Sequence, residues 1–256
     1  MAGIYFHYPF CSQACNYCNF HFSTQTKYRQ QMQQAMKSEL YLRKSELKTP
    51  IESIYFGGGS PSLLPASFFH KVIKSVNDCF KLGNDIEITL EANPNDLTLQ
   101  NLKDLKKSGV NRISIGVQSF HDYELKMMNR IHNSNQGLKA IEWTSKVFDN
   151  FSVDLIYGLP KSNISTWAHN LDILTSFNPP HISSYALTVE PKTVLFRQVD
   201  KGDIKLLDEE AVQLQYDLLT SRLEKEAYIN YEFSNFGKIG FHSVNNSNYW
   251  NGKPYL

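Results

Sequence analysis

The feature that most constrains this chain is an alternation of short apolar stretches with stretches whose apolar residues recur at helical spacing. The strand-like segments are GIYFHYPF (3–10), ESIYFGG (52–58), IEITLEAN (86–93), RISIGVQS (112–119), FSVDLIYGL (151–159) and HISSYALTV (181–189). They are rich in Ile, Val, Tyr or Phe, and most run into Gly, Pro, Asn or Ser, the mark of a strand passing into a loop. Between them, Tyr28, Met32, Ala35, Met36 and Leu40 share one helical face, as do Leu99, Leu102 and Leu105. The same periodicity predicts helices at 65–80, 134–148, 164–176 and 208–226. Apolar strands joined by helical crossovers imply a parallel sheet covered on its faces. Six such units leave two architectures, a doubly wound open sheet or a partial barrel, and a chain of 256 residues suits either. In both, ligands collect at the C-terminal ends of the strands.

The loops at those ends are rich in chemistry. The first holds CSQACNYCNFHF (11–22) and the second GGGSP (57–61). Glu91 ends the third strand, Gln118 follows the fourth, Asp154 lies within the fifth, and residues 186–191 follow the sixth. Of the four cysteines, Cys11, Cys15 and Cys18 cluster, whereas Cys79 stands alone on a helical face and reads as a core residue. A disulfide framework would spread cysteines through a small secreted chain, so clustered thiols point to metal or redox chemistry in a reducing compartment. The N-terminus lacks both a signal-peptide pattern and a membrane span, and a cytoplasmic location is expected. A formal net charge of +1 offers no electrostatic case for a nucleic-acid partner.

Three thiolates spaced C-x3-C-x2-C on one short loop can each reach a different corner of an iron-sulfur cube, leaving one iron open. The alternative is structural zinc held by Cys11, Cys15, Cys18 and His21. Position favours the cube, because structural zinc has no reason to sit where polar groups from every other strand converge.

CSQACNYC, following a strand and with aromatic Tyr17 before the last cysteine, resembles the C-x3-C-x-aromatic-C signature of the radical S-adenosylmethionine (SAM) superfamily. IYFHYPFC, IYFGGGSPSLL, EITLEANP, RISIGVQSF, MNRIH, VDLIYGLP and SSYALTVEP extend the resemblance to its coproporphyrinogen-dehydrogenase-like group, which includes the HemW-type haem chaperones. The resemblance implies a partial (β/α)6 barrel of the TIM-like kind, with Cys11, Cys15 and Cys18 holding a [4Fe-4S] cluster. It implies that SAM occupies the open iron, with Tyr5, Gly58 and Glu91 beside it. Tyr17, Gly59, Ser60, Gln118, Arg130, Asp154 and Ala186 match positions that line a second SAM site in the oxidase relatives.

The chemistry of these residues agrees. A glycine run lets backbone N–H and C=O groups approach a ligand. Glu91 can accept from an ammonium or a ribose, Asp154 suits ribose hydroxyls, and Arg130 can clamp a carboxylate. Each also has a plain reading: a glycine turn, a salt-bridged strand end, a loop cap, a surface ion pair.

Two departures separate oxidase from chaperone. The oxidases resemble C-x3-C-x2-C-x-C, whereas here Phe20 stands in place of the further cysteine. They also carry an N-terminal segment ahead of the first strand. Both departures point to a protein that binds haem and passes it to an acceptor, with an electron donor also implied. They weigh against coproporphyrinogen oxidation, the enzymatic alternative. The chaperones' H-N-x-x-Y-W stretch corresponds to NNSNYW (245–250), where Asn245 replaces the histidine and His242 lies three residues upstream. Domain boundaries are expected at 1–227 for the barrel and 228–256 for the start of a C-terminal extension that reads as truncated.

Overall fold

In the computed structural model, which describes residues 1–256, six parallel strands form a wall in chain order. They are β1 (Ala2–Tyr8), β2 (Ile51–Gly58), β3 (Leu82–Ala92), β4 (Arg112–Gln118), β5 (Phe151–Tyr157) and β6 (His181–Ala186). Each pairs in parallel with the next. A doubly wound sheet would reverse its strand order partway. No reversal occurs, so the wall winds in one direction, as a (β/α) barrel does. β1 and β6 do not pair with each other, which leaves the barrel partial.

The crossovers are α1 (Arg29–Leu42), α2 (Ala66–Cys79), α3 (Leu99–Lys107), the pair α4 (Asp122–Met127) and α5 (Ser134–Ser145), and α6 (Ile164–Ser176). After β6 come α7 (Val194–Asp200) and α8 (Glu209–Lys225). Their starts are written in the sequence. Asn133 with Gln136, and Asn163 with Thr166, form reciprocal capping boxes that satisfy the first N–H groups of α5 and α6.

The strands alternate more strictly than their composition suggests. Ile4, Phe6, Ile54, Phe56, Ile88, Leu90, Ile113, Ile115, Val117, Val153, Leu155 and Ile182 belong to one continuous apolar core shared with the helices. The alternate positions interact with one another instead: Tyr55 with Glu91, Ser114 and Ser152 with Asp154, Ser152 with His181, and Arg112 with Glu87. A period of two therefore sends hydrophobic side chains out to the helices and polar ones into the barrel. Arg112 is only 2% exposed, and its guanidinium faces Glu87 at 3.8 Å.

Residues 228–256, expected to begin an extension, lie against this wall. β7 (Ile229–Asn230) and β8 (Asn235–Gly237) form a small antiparallel pair beside β6. α9 (Val244–Trp250) follows, and the chain end then runs along β1, where Tyr5 N–H donates to Leu256 O at 2.8 Å. The aromatic, Asn-rich composition reads as strand-like pieces, because Asn, Ser, Tyr and Trp are indifferent helix formers. The helix forms because Ser243 caps it and Glu87 accepts the N–H groups of Val244 and Asn245 at 3.1 and 3.3 Å.

Candidate functional site

Tyr8 ends β1, and the cysteine loop springs from it. Its base is closed by Ser23 N–H donating to Pro9 O at 2.7 Å and Cys11 N–H to Ser23 O at 3.0 Å. Its apex is tied to the far end of α4. Asn16 donates through its backbone to Met128 O and through Nδ2 to Met127 O, while Asn129 Nδ2 donates to Ala14 O at 2.7 Å. Asn129 sits at a φ of 57°, a left-handed conformation that Asn tolerates better than most residues. The loop is thus held from two sides, and Cys11, Cys15 and Cys18 are free, half-buried thiols.

All three line a cavity of about 530 Å³ at the C-terminal ends of the strands. Tyr17, Gly58, Gly59, Ser60, Glu91, Gln118, Arg130, Asp154 and Ala186 line the same cavity. Tyr5 lies just beneath the lining, with its ring stacked on Tyr55 and its hydroxyl 3.4 Å from His7 Nδ1. His21 is not among the residues lining the cavity, and its carbonyl accepts from His7 Nε2. No group of three or more His, Cys, Asp or Glu side chains is drawn together around one point where a single metal ion would sit.

Arg130 is the most connected of these residues. Nη2 donates to Asn93 Oδ1 and to Gly116 O, each at 2.7 Å, and Nη1 donates to Cys15 Sγ at 3.5 Å. Its Nε is buried without a partner, so the guanidinium retains unspent donor capacity. Asn93 in turn donates from Nδ2 to Ser60 Oγ at 2.8 Å, joining the loops after β2 and β3.

Glu91 receives Tyr55 Oη at 2.9 Å and Gly58 N–H at 3.2 Å. Burial raises its carboxyl to about 7, against the pull of Tyr55 and with a further push from Asp154. Asp154 accepts from Ser114 at 3.1 and 3.2 Å and from Ser152 at 3.1 Å, and burial raises its carboxyl too. Burial likewise pushes the Cys11 and Cys18 thiols up; Ser60 opposes this at Cys11, and the Phe20 backbone at Cys18.

The glycines have a double use. Gly58 has φ +104°, and a Cβ on it would lie 2.6 Å from the His7 ring. A Cβ on Gly59 would lie 2.9 Å from backbone atoms of Tyr8, Pro9 and Phe10. The absent side chains therefore allow the second loop to seat against the root of the cysteine loop, and the exposed backbone faces the cavity as a consequence. Gln118 has φ 69° at an irregularity between β4 and β5, and its amide folds back over Gly116.

Tyr17 packs beside the small apolar cluster of Leu125, Met128, Ile156 and Leu159. Phe20 is 65% exposed at the rim of the cavity. Asn93, Asn129, Ser114 and Tyr55 support the site without having been singled out in the sequence. Only the regular inward spacing of Ser114 and Tyr55 on their strands carried any signal.

A wall of six parallel strands, a three-cysteine loop after the first, and polar groups from the others at one mouth define a class of protein. The family model of the radical SAM superfamily matches residues 5–174, and the chain belongs to that superfamily. Its curated relatives include the heme chaperone HemW of Bacillus subtilis, 34% identical over 100% of this chain and 69% of the relative. Another is the mitochondrial radical S-adenosyl methionine domain-containing protein 1 of Danio rerio, 34% identical over 100% of this chain and 58% of the relative. Among solved structures, the coproporphyrinogen III oxidase (HemN) from Escherichia coli, a radical SAM enzyme, superposes with a TM-score of 0.82 at 23% identity. That match covers 98% of this chain and 58% of the oxidase. The chain thus spans 58% to 69% of the length of these three proteins.

Proposed function

We propose that this chain is the core of a haem chaperone of radical SAM type, binding a [4Fe-4S] cluster, SAM and haem and passing haem to an acceptor protein. The observation that carries the reading is the convergence of three free thiols, a half-buried guanidinium with an unspent donor, and two half-buried carboxylates on one cavity. Cys11, Cys15 and Cys18 would hold the cluster. Their C-x3-C-x2-C spacing suits a cube, in which each thiolate meets a different iron. Such a cluster, when bound, supplies low-potential electrons and one iron free to chelate SAM.

The chain's own residues would do the positioning. Gly58 presents its backbone, and Glu91 its carboxylate, to a cationic amino acid end. Asp154 faces ribose hydroxyls, Arg130 offers its remaining donor to a carboxylate, and Tyr5 stiffens Glu91's surroundings from beneath through Tyr55. Tyr17 and Gln118 narrow the cavity and exclude water. No helix is long and apolar enough to cross a membrane, and the free thiols suit a reducing compartment such as the cytoplasm.

Phe20 favours haem handling over porphyrinogen oxidation, because an aromatic ring stands at the rim where the oxidases carry sulfur. Anaerobic reconstitution tests the first half of the reading: a brown protein whose cluster spectrum shifts on adding SAM supports it. A colourless protein retaining one zinc would falsify it. Soret titration with haem, beside an anaerobic coproporphyrinogen assay, tests the second half. Saturable haem binding without turnover is expected, and turnover would replace the chaperone with an oxidase.

A further inference from the structure

The interior of the barrel carries a line of hydrogen bonds from Asp154 to the start of α9. Asp154 Oδ1 accepts from Ser152 Oγ at 3.1 Å. A hydroxyl has one proton, so where Ser152 gives it to the carboxylate it accepts from His181 Nδ1, 2.8 Å away. In that arrangement His181 carries its proton on Nδ1, and its bare Nε2 accepts from Tyr231 Oη at 2.8 Å. Tyr231 Oη in turn accepts the N–H of Ser243, the N-cap of α9, at 3.2 Å. Ser183 Oγ lies 3.1 Å from Ser152 Oγ and also reaches Asp154.

We propose that His181 is a positioning residue: with Tyr231 and Ser152 it holds Asp154 as a fixed acceptor facing the cavity and links that cavity to the start of α9. The identity of the cavity's ligand as SAM rests on the reading above; the hydrogen-bond line does not.

The surroundings of His181 keep it neutral, which the line requires. It is 0% exposed. The groups that face it are Tyr231, the His242 ring stacked on Tyr231 at 4.4 Å, Ser152, and the buried Arg112 with its partner Glu87. Burial and the Arg112 charge both disfavour an imidazolium, holding its pKa well below the usual histidine value. A neutral imidazole passes orientation from Tyr231 to Ser152, where a cation would have to donate from both nitrogens and would reverse the contact with Tyr231.

Two measurements on the whole chain test this. In the first, ¹⁵N-histidine NMR identifies the His181 signals by their absence from the His181→Leu variant. The expected result is a neutral ring protonated on Nδ1 and unchanged between about pH 5 and 8. A ring protonated on Nε2, or one that titrates in that range, would overturn the hydrogen-bond line.

In the second, SAM binding to the reconstituted protein is measured for a set of variants. His181→Leu is expected to weaken binding about tenfold, the effect of loosening one hydrogen bond to a charged group. His181→Asn restores it, because its amide can still donate to Ser152, and His181→Gln does not. Tyr231→Phe, which removes one hydroxyl and little else, weakens binding in the same direction. Unchanged affinity in a folded His181→Leu protein would overturn the positioning role. A wild-type protein that fails to bind SAM would refute the proposed ligand instead, and the NMR result would still decide the line.

Discussion

Arg130 Nη1 donates to Cys15 Sγ at 3.5 Å, joining residues 115 positions apart. The same guanidinium holds Asn93 Oδ1 and Gly116 O, so one side chain fixes the relative positions of the loops after β1, β3 and β4. The cysteine loop is therefore placed by the rest of the mouth and not only by its own turns.

Arg130→Met keeps much of the volume and removes every donor. Two acceptors inside the barrel then lose their partner, at about 1–3 kcal/mol for each buried group left unsatisfied. A loss of about 2–4 kcal/mol is expected in urea denaturation, with a shifted midpoint and an unchanged slope. Reconstitution of the cluster should also become slower, since the loop loses its tether. A variant as stable as the parent would show that Arg130 is ornamental to the mouth.

Glu91 gives a pH dependence with a definite sign. Its carboxyl lies at about 7 in the folded chain against an ordinary value of 4.5. Between these values the folded state binds more protons than the unfolded one, so this group's contribution to stability falls as pH rises through the window. Glu91→Gln removes the titration. The stability of the variant relative to the parent should therefore improve from pH 4.5 towards 7 and level off above. Parallel stability curves for the two proteins would place the titration elsewhere. A cationic ligand should reverse the trend for binding, favouring the ionised carboxylate, so SAM affinity in the parent should rise from pH 6 to 8.

The two cavity glycines are constrained for different reasons, and alanine separates them. Gly58→Ala combines a φ of +104° with a contact to the His7 ring, which can swing away. Gly59→Ala has an ordinary φ but meets the backbone of Tyr8, Pro9 and Phe10, which cannot. Gly202 has φ +77° and open space around its Cβ position, so Gly202→Ala reports strain alone, about 1–2 kcal/mol. Gly59→Ala should disturb the cysteine loop most, read as loss of cluster incorporation at near-native helical circular dichroism. Equal effects from all three substitutions would reduce the loop contact to backbone strain.

The six βα units were legible because each strand and crossover helix carries its own period, and the boundaries at 66–79, 164–176 and 209–225 fall within a residue or so of the expected ones. The cavity lining was legible for the same reason: residues at strand ends must meet once the wall is wound. What the sequence hid was local in pattern but tertiary in cause. The inward polar face of β4, Arg112, Ser114, Gly116 and Gln118, alternates with Ile113, Ile115 and Val117, yet the strand as a whole reads as apolar. Asn93 and Asn129 are single residues in loops, without period or motif, and gain meaning only from Arg130 and the cysteine loop. α9 owes its existence to Glu87, 156 residues from Ser243. α4 and α7, of six and seven residues, are too short to show a helical face.

Asn245 occupies the position where the 245–250 stretch departs from the expected H-N-x-x-Y-W pattern, and the structure changes what a substitution there should do. It is 7% exposed, its Oδ1 accepts from Ser53 Oγ at 3.4 Å, and it lies beside Gly3. Ser53 and Gly3 are near the N-terminal ends of β2 and β1, so position 245 sits at the floor of the barrel, opposite the mouth that holds the cysteines. An imidazole placed there is larger than the amide it replaces and meets closely packed strands, at a cost of about 1–3 kcal/mol. Asn245→His should therefore lower the thermal midpoint and leave the Soret titration with haem unchanged, because the new ring points into the floor. His242 is stacked on Tyr231 with a buried Nε2 that has no partner, and His242→Ala is the paired measurement. If Asn245→His instead sharpens the Soret band and tightens haem binding, then α9 must turn to present position 245. The contacts of Glu87 with the first turn of α9 would in that case be the ones haem binding breaks.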